Sequence, residues 1–374
     1  MFRRFDKKFW AATFTLTGTI IGAGILGLPY VFAKSGFLIG LFWLLVLGVI
    51  MIYCVLCLGE VALRTKEIHQ LPGYAKKYLG KWGEWLMLFA VVFGIYSALL
   101  AYLIGESQSF SLIFTGGLDY AIYFAIGFWL IMTLLLKEGL KGLKKIESLG
   151  VLIILGIVLI IVAFYFPQVN FGNLDYTDFS YLFLPFGVVL FALMGFTSVP
   201  ELRMEIKGNE KKLKKAIVVG ILIPIVVYAV FSLIFVGVLG KNVPQVATLG
   251  FGKLIILLGI FTMLTSYFVL SFSLKDVFKF DLKYSKKWSF ILVSLIPLFV
   301  YFILYFFNWL SFVNILGIGG VVSGGLTGIL ILLMNIKAKK LGNRKPEFSV
   351  LINWFVIGLI SLVYICGIVV EVVF

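Results

Sequence analysis

TLTGTIIGAGILGLPYVFA, residues 15–33, decides how the whole chain is read. The stretch is apolar enough to enter a bilayer, yet Gly18, Gly22, Gly24 and Gly27 interrupt it and Pro29 follows. In lipid every backbone N–H and C=O needs a partner inside the protein, so a helix break survives only where it lines a cavity or is covered. The glycines around Ile20 to Gly24 predict an unwound point near mid-span. Such a point exposes two half-helix ends, one offering N–H groups and the other carbonyls. A small zwitterion complements that pair. Taken alone, Gly18-x-x-x-Gly22 also matches a small-residue packing face on a continuous helix.

The composition points the same way. The 374 residues are 62% hydrophobic and only 13% charged, with a mean hydropathy of +1.11. Soluble domains carry roughly half apolar and a quarter charged residues, so the expected class is an all-α membrane protein. A β-barrel would show short alternating segments instead of long apolar runs. Eleven such runs fall at about 9–33, 37–63, 82–105, 120–136, 148–166, 181–202, 216–239, 251–274, 288–306, 310–335 and 350–373. Their connections are short, so residues 1–374 read as one transmembrane domain. No small-residue cleavage site ends the first run, which therefore counts as a span and not as a signal peptide.

The net charge of +15 is distributed by side. All the Lys and Arg lie at the N-terminus or on every second connection, except Lys34, Lys241 and Lys253. Positive loops stay inside, so the expected topology has a cytoplasmic N-terminus and an extracytoplasmic C-terminus. The charge is then a topology signal and an attraction to anionic lipid heads, not a nucleic-acid footprint. Cys54 and Cys57 sit in an apolar span without a second pair and read as packing residues. The single His69 argues against a His-rich metal site. No carboxylate pair, nucleophile–base pair or ligand cluster falls at membrane depth, which disfavours an enzyme.

A second interrupted span is YLFLPFGVVLFALMGFTSVPEL, residues 181–202. Gly195 lies near its middle, Ser198 and Pro200 follow, and Glu201 lies at the inner end. The first and sixth runs are thus broken alike and run in opposite directions. Paired Gly/Pro-interrupted segments in matching halves point to an inverted-repeat transporter. The halves are about 9–166 and 181–335, with 350–373 appended. The glycine-rich 314–328 is expected to be a close-packing face, and Pro185, Pro224 and Pro297 ordinary kinks.

GTIIGAGILGLPYVFAKSG, residues 18–36, resembles the first-span signature of the amino acid/auxin permease family, to which the tyrosine- and tryptophan-type permeases belong. LPGYAKKYLGKWG, 71–83, and TSYFVLSFSLKDVF, 265–278, are similar but less specific. The resemblance implies the LeuT-type 5+5 inverted repeat of the amino acid–polyamine–cation superfamily, with helices 1 and 6 discontinuous and an eleventh helix added. It also implies a cation-coupled amino acid symporter working by alternating access, in a plasma membrane given the compact loops. Germinant-receptor-type subunits share that fold, so a non-transporting amino-acid sensor is the alternative. No cofactor is implied, and oligomeric state is open.

The expected site follows from the two breaks. The substrate carboxylate should meet N–H groups of Gly22, Ala23, Gly24 and Ile25. The ammonium should meet carbonyls of Thr19, Phe191 and Ala192, at the break marked by Gly195. Phe196 and Thr197 should flank the side chain, and Tyr96 should donate its hydroxyl to the carboxylate. No charged residue lies clearly at mid-membrane depth, so a neutral substrate is expected, aromatic or large aliphatic given 38 Phe and 17 Tyr. For the coupling ion, the resemblance implies a sodium site of Thr17, Ile20, Thr262, Thr265 and Ser266, with hard oxygen ligands. A proton is the lesser expectation. Glu60, Glu106 and Glu201 could carry one, but all three read as span-end residues reaching water or an ion pair.

Overall fold

The computed structural model describes residues 6–22, 24–138 and 143–373. Among them all regular structure is helical. The first apolar run forms α1 (Lys7–Ile20) and α2 (Gly24–Ser35), whose axes bend by 57° at the break. There follow α3 (Phe37–Arg64), α4 (Leu71–Thr115), α5 (Ala121–Glu138) and α6 (Leu143–Tyr165). The sixth run divides into α7 (Leu184–Ala192) and α8 (Val199–Glu205). Beyond it lie α9 (Leu213–Leu239), α10 (Lys253–Asp276) and α11 (Lys286–Phe306). The tenth run is α12 (Phe312–Gly319), a π-helical turn Gly320–Gly325 and α13 (Leu326–Leu341), and the last is α14 (Trp354–Val373).

The chain is a multi-pass membrane protein. Eight elements among the described residues are long and apolar enough to cross a bilayer, or nine when the bent pair α1–α2 counts as one crossing. Ala121–Lys137 and Ile154–Gln168 form shorter apolar helices. Two features differ from the sequence reading. The third run does not stop at Gly105, because α4 continues to Thr115 and ends on Gly116 in the left-handed region at φ 75°. Ser107, Ser109 and Ser111 are fully buried there and bond to nearby backbone carbonyls, so polar residues continue the helix inside the bundle. Pro185 opens α7 at its first turn, where its missing N–H costs nothing, and does not kink a helix interior; Pro224 and Pro297 do lie inside α9 and α11.

The basic connections meet at one face. Lys8 Nζ donates to the Lys207 carbonyl at 2.8 Å, and Asp6 pairs with Lys212. Arg203 of α8 donates to the carbonyls of Glu67 and Lys66, and Arg344 donates to that of Leu63. Lys275 of α10 reaches the Leu136 carbonyl of α5. On the opposite face, the turns between α6 and α7 fold over the end of α2. Asp178 N–H donates to the Ser35 carbonyl, and Gly36 at φ 101° lets the Tyr176 carbonyl approach where a Cβ would sit.

Near the basic face Glu60 of α3 is fully buried and fully satisfied. It accepts from Arg64 (2.8 Å), Lys339 (3.2 Å), Asn335, Ser349 and the Val350 N–H. This network ties α3 to α13 and to the segment leading into α14. Removing one partner of a buried network strands the others. Glu60→Ala is therefore expected to lower stability by about 2–3 kcal/mol, with Arg64 and Lys339 partly rescued by water. Thermal unfolding in detergent measures it, and an unchanged midpoint would show that the network contributes nothing.

Candidate functional site

The two breaks lie against each other. α1 ends where Ile21 N–H donates to the Thr17 carbonyl and Gly22 N–H to that of Ile20. α7 ends where Met194 N–H donates to the Phe191 carbonyl, and Gly195 at φ −138° leads into the 3-10 turn Phe196–Ser198. The glycines permit this crossing. A Cβ on Gly24 would stand 2.4 Å from the Ala192 Cα, and one on Gly195 would stand 2.7 Å from Ile20 Cγ1. Gly24 thus seats one broken helix on the other. The hydroxyl of Tyr228, fully buried on α9, bonds to both first-half ends: 2.7 Å to the Ile20 carbonyl and 2.9 Å to the Ala192 carbonyl. A Tyr hydroxyl carries one proton, so the two carbonyls share it.

Beside this crossing is a cavity of about 130 Å³. Thr19, Ile20, Gly22 and Gly24 line it from the first broken helix, and Phe191, Met194, Phe196 and Thr197 from the second. The far wall is α4, with Val91, Gly94, Ile95, Ala98 and Tyr102; Leu71, Leu270, Ser323 and Thr327 complete it. None of these lining residues is charged. The Tyr102 hydroxyl points at the first break, 3.0 Å from where a Gly22 Cβ would stand.

Of the residues expected at a substrate site, Thr19, Gly22, Gly24, Phe191, Phe196 and Thr197 line the cavity. Ala23 lies outside the described residues. Ile25, Ala192 and Gly195 lie at the crossing but do not line it, and the Ala192 carbonyl already accepts from Tyr228. Tyr96 is elsewhere: its hydroxyl donates to the Leu292 carbonyl of α11 at 3.1 Å. Tyr102, missed in the sequence, lines the cavity. The signal was the spacing Gly94, Ala98, Tyr102, which puts two small residues and one hydroxyl on a single helix face.

Three of the residues expected to hold sodium donate their hydroxyls to backbone carbonyls. Thr17 donates to the Gly220 carbonyl of α9, and Ile20 accepts from Tyr228. Thr262 donates to the Gly259 carbonyl, and Thr265 to those of Phe261 and Thr262, within their own helix. α1 packs chiefly on α9 and α8, whereas α10 packs chiefly on α4, so the two halves of the set belong to different interfaces.

The fold is thus a helical membrane bundle in which two helix breaks meet beside a cavity without charged lining. The chain belongs to the tryptophan/tyrosine permease family, whose sequence profile matches residues 5–373. That is a family of permeases and not of enzymes. The chain is 25% identical over 238 residues to the Tyrosine-specific transport system 1 of Haemophilus influenzae, covering 63% of this chain and 59% of that one. It is 23% identical over 241 residues to the Glutamine transporter 2 of Aliivibrio fischeri, covering 63% and 62%. To the Low affinity tryptophan permease of Proteus vulgaris it is 25% identical over 252 residues, covering 62% and 57%. The matched region thus spans about three-fifths of each relative's length.

Proposed function

We propose that this protein is a secondary transporter that carries a neutral amino acid, aromatic or large aliphatic, together with a coupling cation by alternating access. The observation that carries this reading is the pair of broken helices crossing beside an uncharged cavity. Half-helix ends turn dipoles of both signs toward a zwitterion without any charged side chain. A cationic or dicarboxylic side chain would lack a counter-charge in that cavity. Phe191, Phe196 and Tyr102 supply aromatic surface for the substrate side chain. Relatives described as tyrosine, glutamine and tryptophan transporters support a neutral amino acid. The reading includes eleven crossings in a 5+5 inverted repeat with one helix added, and the basic face in the cytoplasm.

Uptake of labelled tyrosine, tryptophan, leucine and glutamine into proteoliposomes tests it, with lysine and glutamate as charged controls. Imposed sodium and proton gradients separate the coupling ions. Binding without accumulation of any of these would instead favour a sensor. Within this reading Tyr102 donates to the substrate carboxylate. Tyr102→Phe is expected to weaken binding by about tenfold, the value of one hydrogen bond to a charged group. Isothermal titration measures the loss, and unchanged affinity removes Tyr102 from the site.

A further inference from the structure

Two carboxylates are fully buried among the described residues, Glu60 and Glu106. Glu60 has five donors around it. Glu106 of α4 has none: neither oxygen makes a hydrogen bond, although the carboxyl lies against the Leu264 backbone of α10. An ionised carboxylate left unpaired in an apolar interior is so costly that the group neutralises instead. Even protonated, its O–H is an unmet donor, and an apolar residue would pack more stably there. The side chain therefore does nothing for the fold that Leu could not do better.

Its position is informative. Glu106 stands one helical turn beyond Tyr102, on the same face of α4, on the side away from the basic loops. The next two residues, Ser107 and Gln108, line a second cavity of about 240 Å³ with Tyr301, Tyr305 and Asn308. Ser107 Oγ is 3.5 Å from the Tyr301 hydroxyl. Glu106 itself does not line that space, which Leu118, Ala121 and Leu310 also border, and the substrate cavity begins one turn further in, at Tyr102.

Among the described residues, the elements packed on α4 place their charged groups at their ends, away from Glu106. The elements packed on α4 are α5, α10, α11, α12, α13 and the turn Gly320–Gly325. α12 and that turn contain no titratable residue, and the lysines of α13 are at its basic end. α11 offers Tyr301 and Tyr305, besides Lys286 and Lys287 at its basic end. α10 offers Tyr267, whose ring packs on Phe128 of α5, the exposed Lys253 at its start, and Lys275 and Asp276 at its basic end. α5 adds the exposed Tyr123, and Lys137 and Glu138 at its basic end.

We propose that Glu106 is the binding site of the coupling proton. It holds the proton while buried, as here, and its O–H bond breaks to water when another state of the cycle wets it, leaving the carboxylate. This deepens the transporter reading and rests on it. The test uses the full chain in proteoliposomes, as wild type, Glu106→Gln and Glu106→Asp. Labelled tyrosine, tryptophan and glutamine are each exchanged against the same amino acid inside without any gradient, and separately accumulated on a pH gradient at equal sodium. A gradient of one pH unit drives at most about tenfold accumulation per proton. Wild type should approach that limit, with Glu106→Asp still accumulating at a displaced pH optimum. Glu106→Gln, a stand-in for the protonated form, should exchange normally and accumulate nothing. Gradient-driven accumulation by Glu106→Gln would overturn the proposal. So would a well-inserted Gln variant that cannot exchange, or wild type driven by sodium and indifferent to pH. Wild type that exchanges none of tyrosine, tryptophan or glutamine defeats the transporter reading itself, and this proposal with it. That failure is distinguishable because it precedes any mutation.

Discussion

Gly24→Leu is expected to abolish amino-acid uptake while the protein still inserts into the membrane. A Cβ at this position would lie 2.4 Å from the Ala192 Cα and 2.5 Å from its Cβ. The obstacle is mostly backbone, which cannot swing aside as a long side chain can. Overpacking a filled interior costs about 1–3 kcal/mol, and a collision with backbone belongs at the upper end. Because the clash falls where the two broken helices cross, relieving it must separate them or turn one about its axis. Either movement disperses Thr19, Gly22, Phe191 and Phe196 around the cavity. A loss of about 3 kcal/mol corresponds to more than a hundredfold in uptake. Even Gly24→Ala should be severely impaired, since the added methyl is the clashing atom. Near-normal uptake by Gly24→Ala, at equal membrane content, would show that the two broken helices need not touch at Gly24.

The second large effect is expected from Tyr228→Phe. The substitution keeps the ring and deletes the one hydroxyl shared by the Ile20 and Ala192 carbonyls. Both carbonyls lie at the ends of interrupted helices; that of Ile20 keeps the Gly22 N–H, but that of Ala192 has no next turn to satisfy it. Leaving buried groups unmet costs about 1–3 kcal/mol. The loss should appear as a lower unfolding midpoint in detergent. It should also appear as weaker substrate binding, because the hydroxyl holds the two breaks in register beside the cavity. Tyr228→Leu should be worse still, through the cavity left by the missing ring. Unchanged midpoint and affinity in Tyr228→Phe would show that the tie is incidental.

Much of this molecule was legible along the chain. Gly18, Gly22, Gly24 and Pro29 marked the first break, and Gly195, Ser198 and Pro200 the second, because a backbone freed from its ladder in oil has few tolerable places. The burial of Cys54 and Cys57 also followed from their apolar surroundings. The choice of tyrosine did not. Tyr96 and Tyr102 lie in the same span, and depth alone favours neither. A helix apolar on all sides carries no pattern saying which face meets a neighbour, so rotational phase must come from packing. The end of α4 was misplaced for a related reason. Glu106, Ser107 and Ser109 look like an exit from the membrane, but other helices bury them.

The sequence alone determined that this is a helical membrane protein, where two of its helices break, and on which connections its positive charge gathers. These follow from local properties: hydrophobic length, glycine and proline, and the cost of an unpaired peptide group in lipid. Only the tertiary structure decided that the breaks lock together through Gly24, Ala192 and Tyr228, that Tyr102 faces them, and that Glu106 lies buried without a partner while Glu60 has five. Those facts concern which groups from distant parts of the chain reach one another. An apolar sequence leaves that open, because oil accepts every face of a helix equally and only close packing between helices tells one face from another.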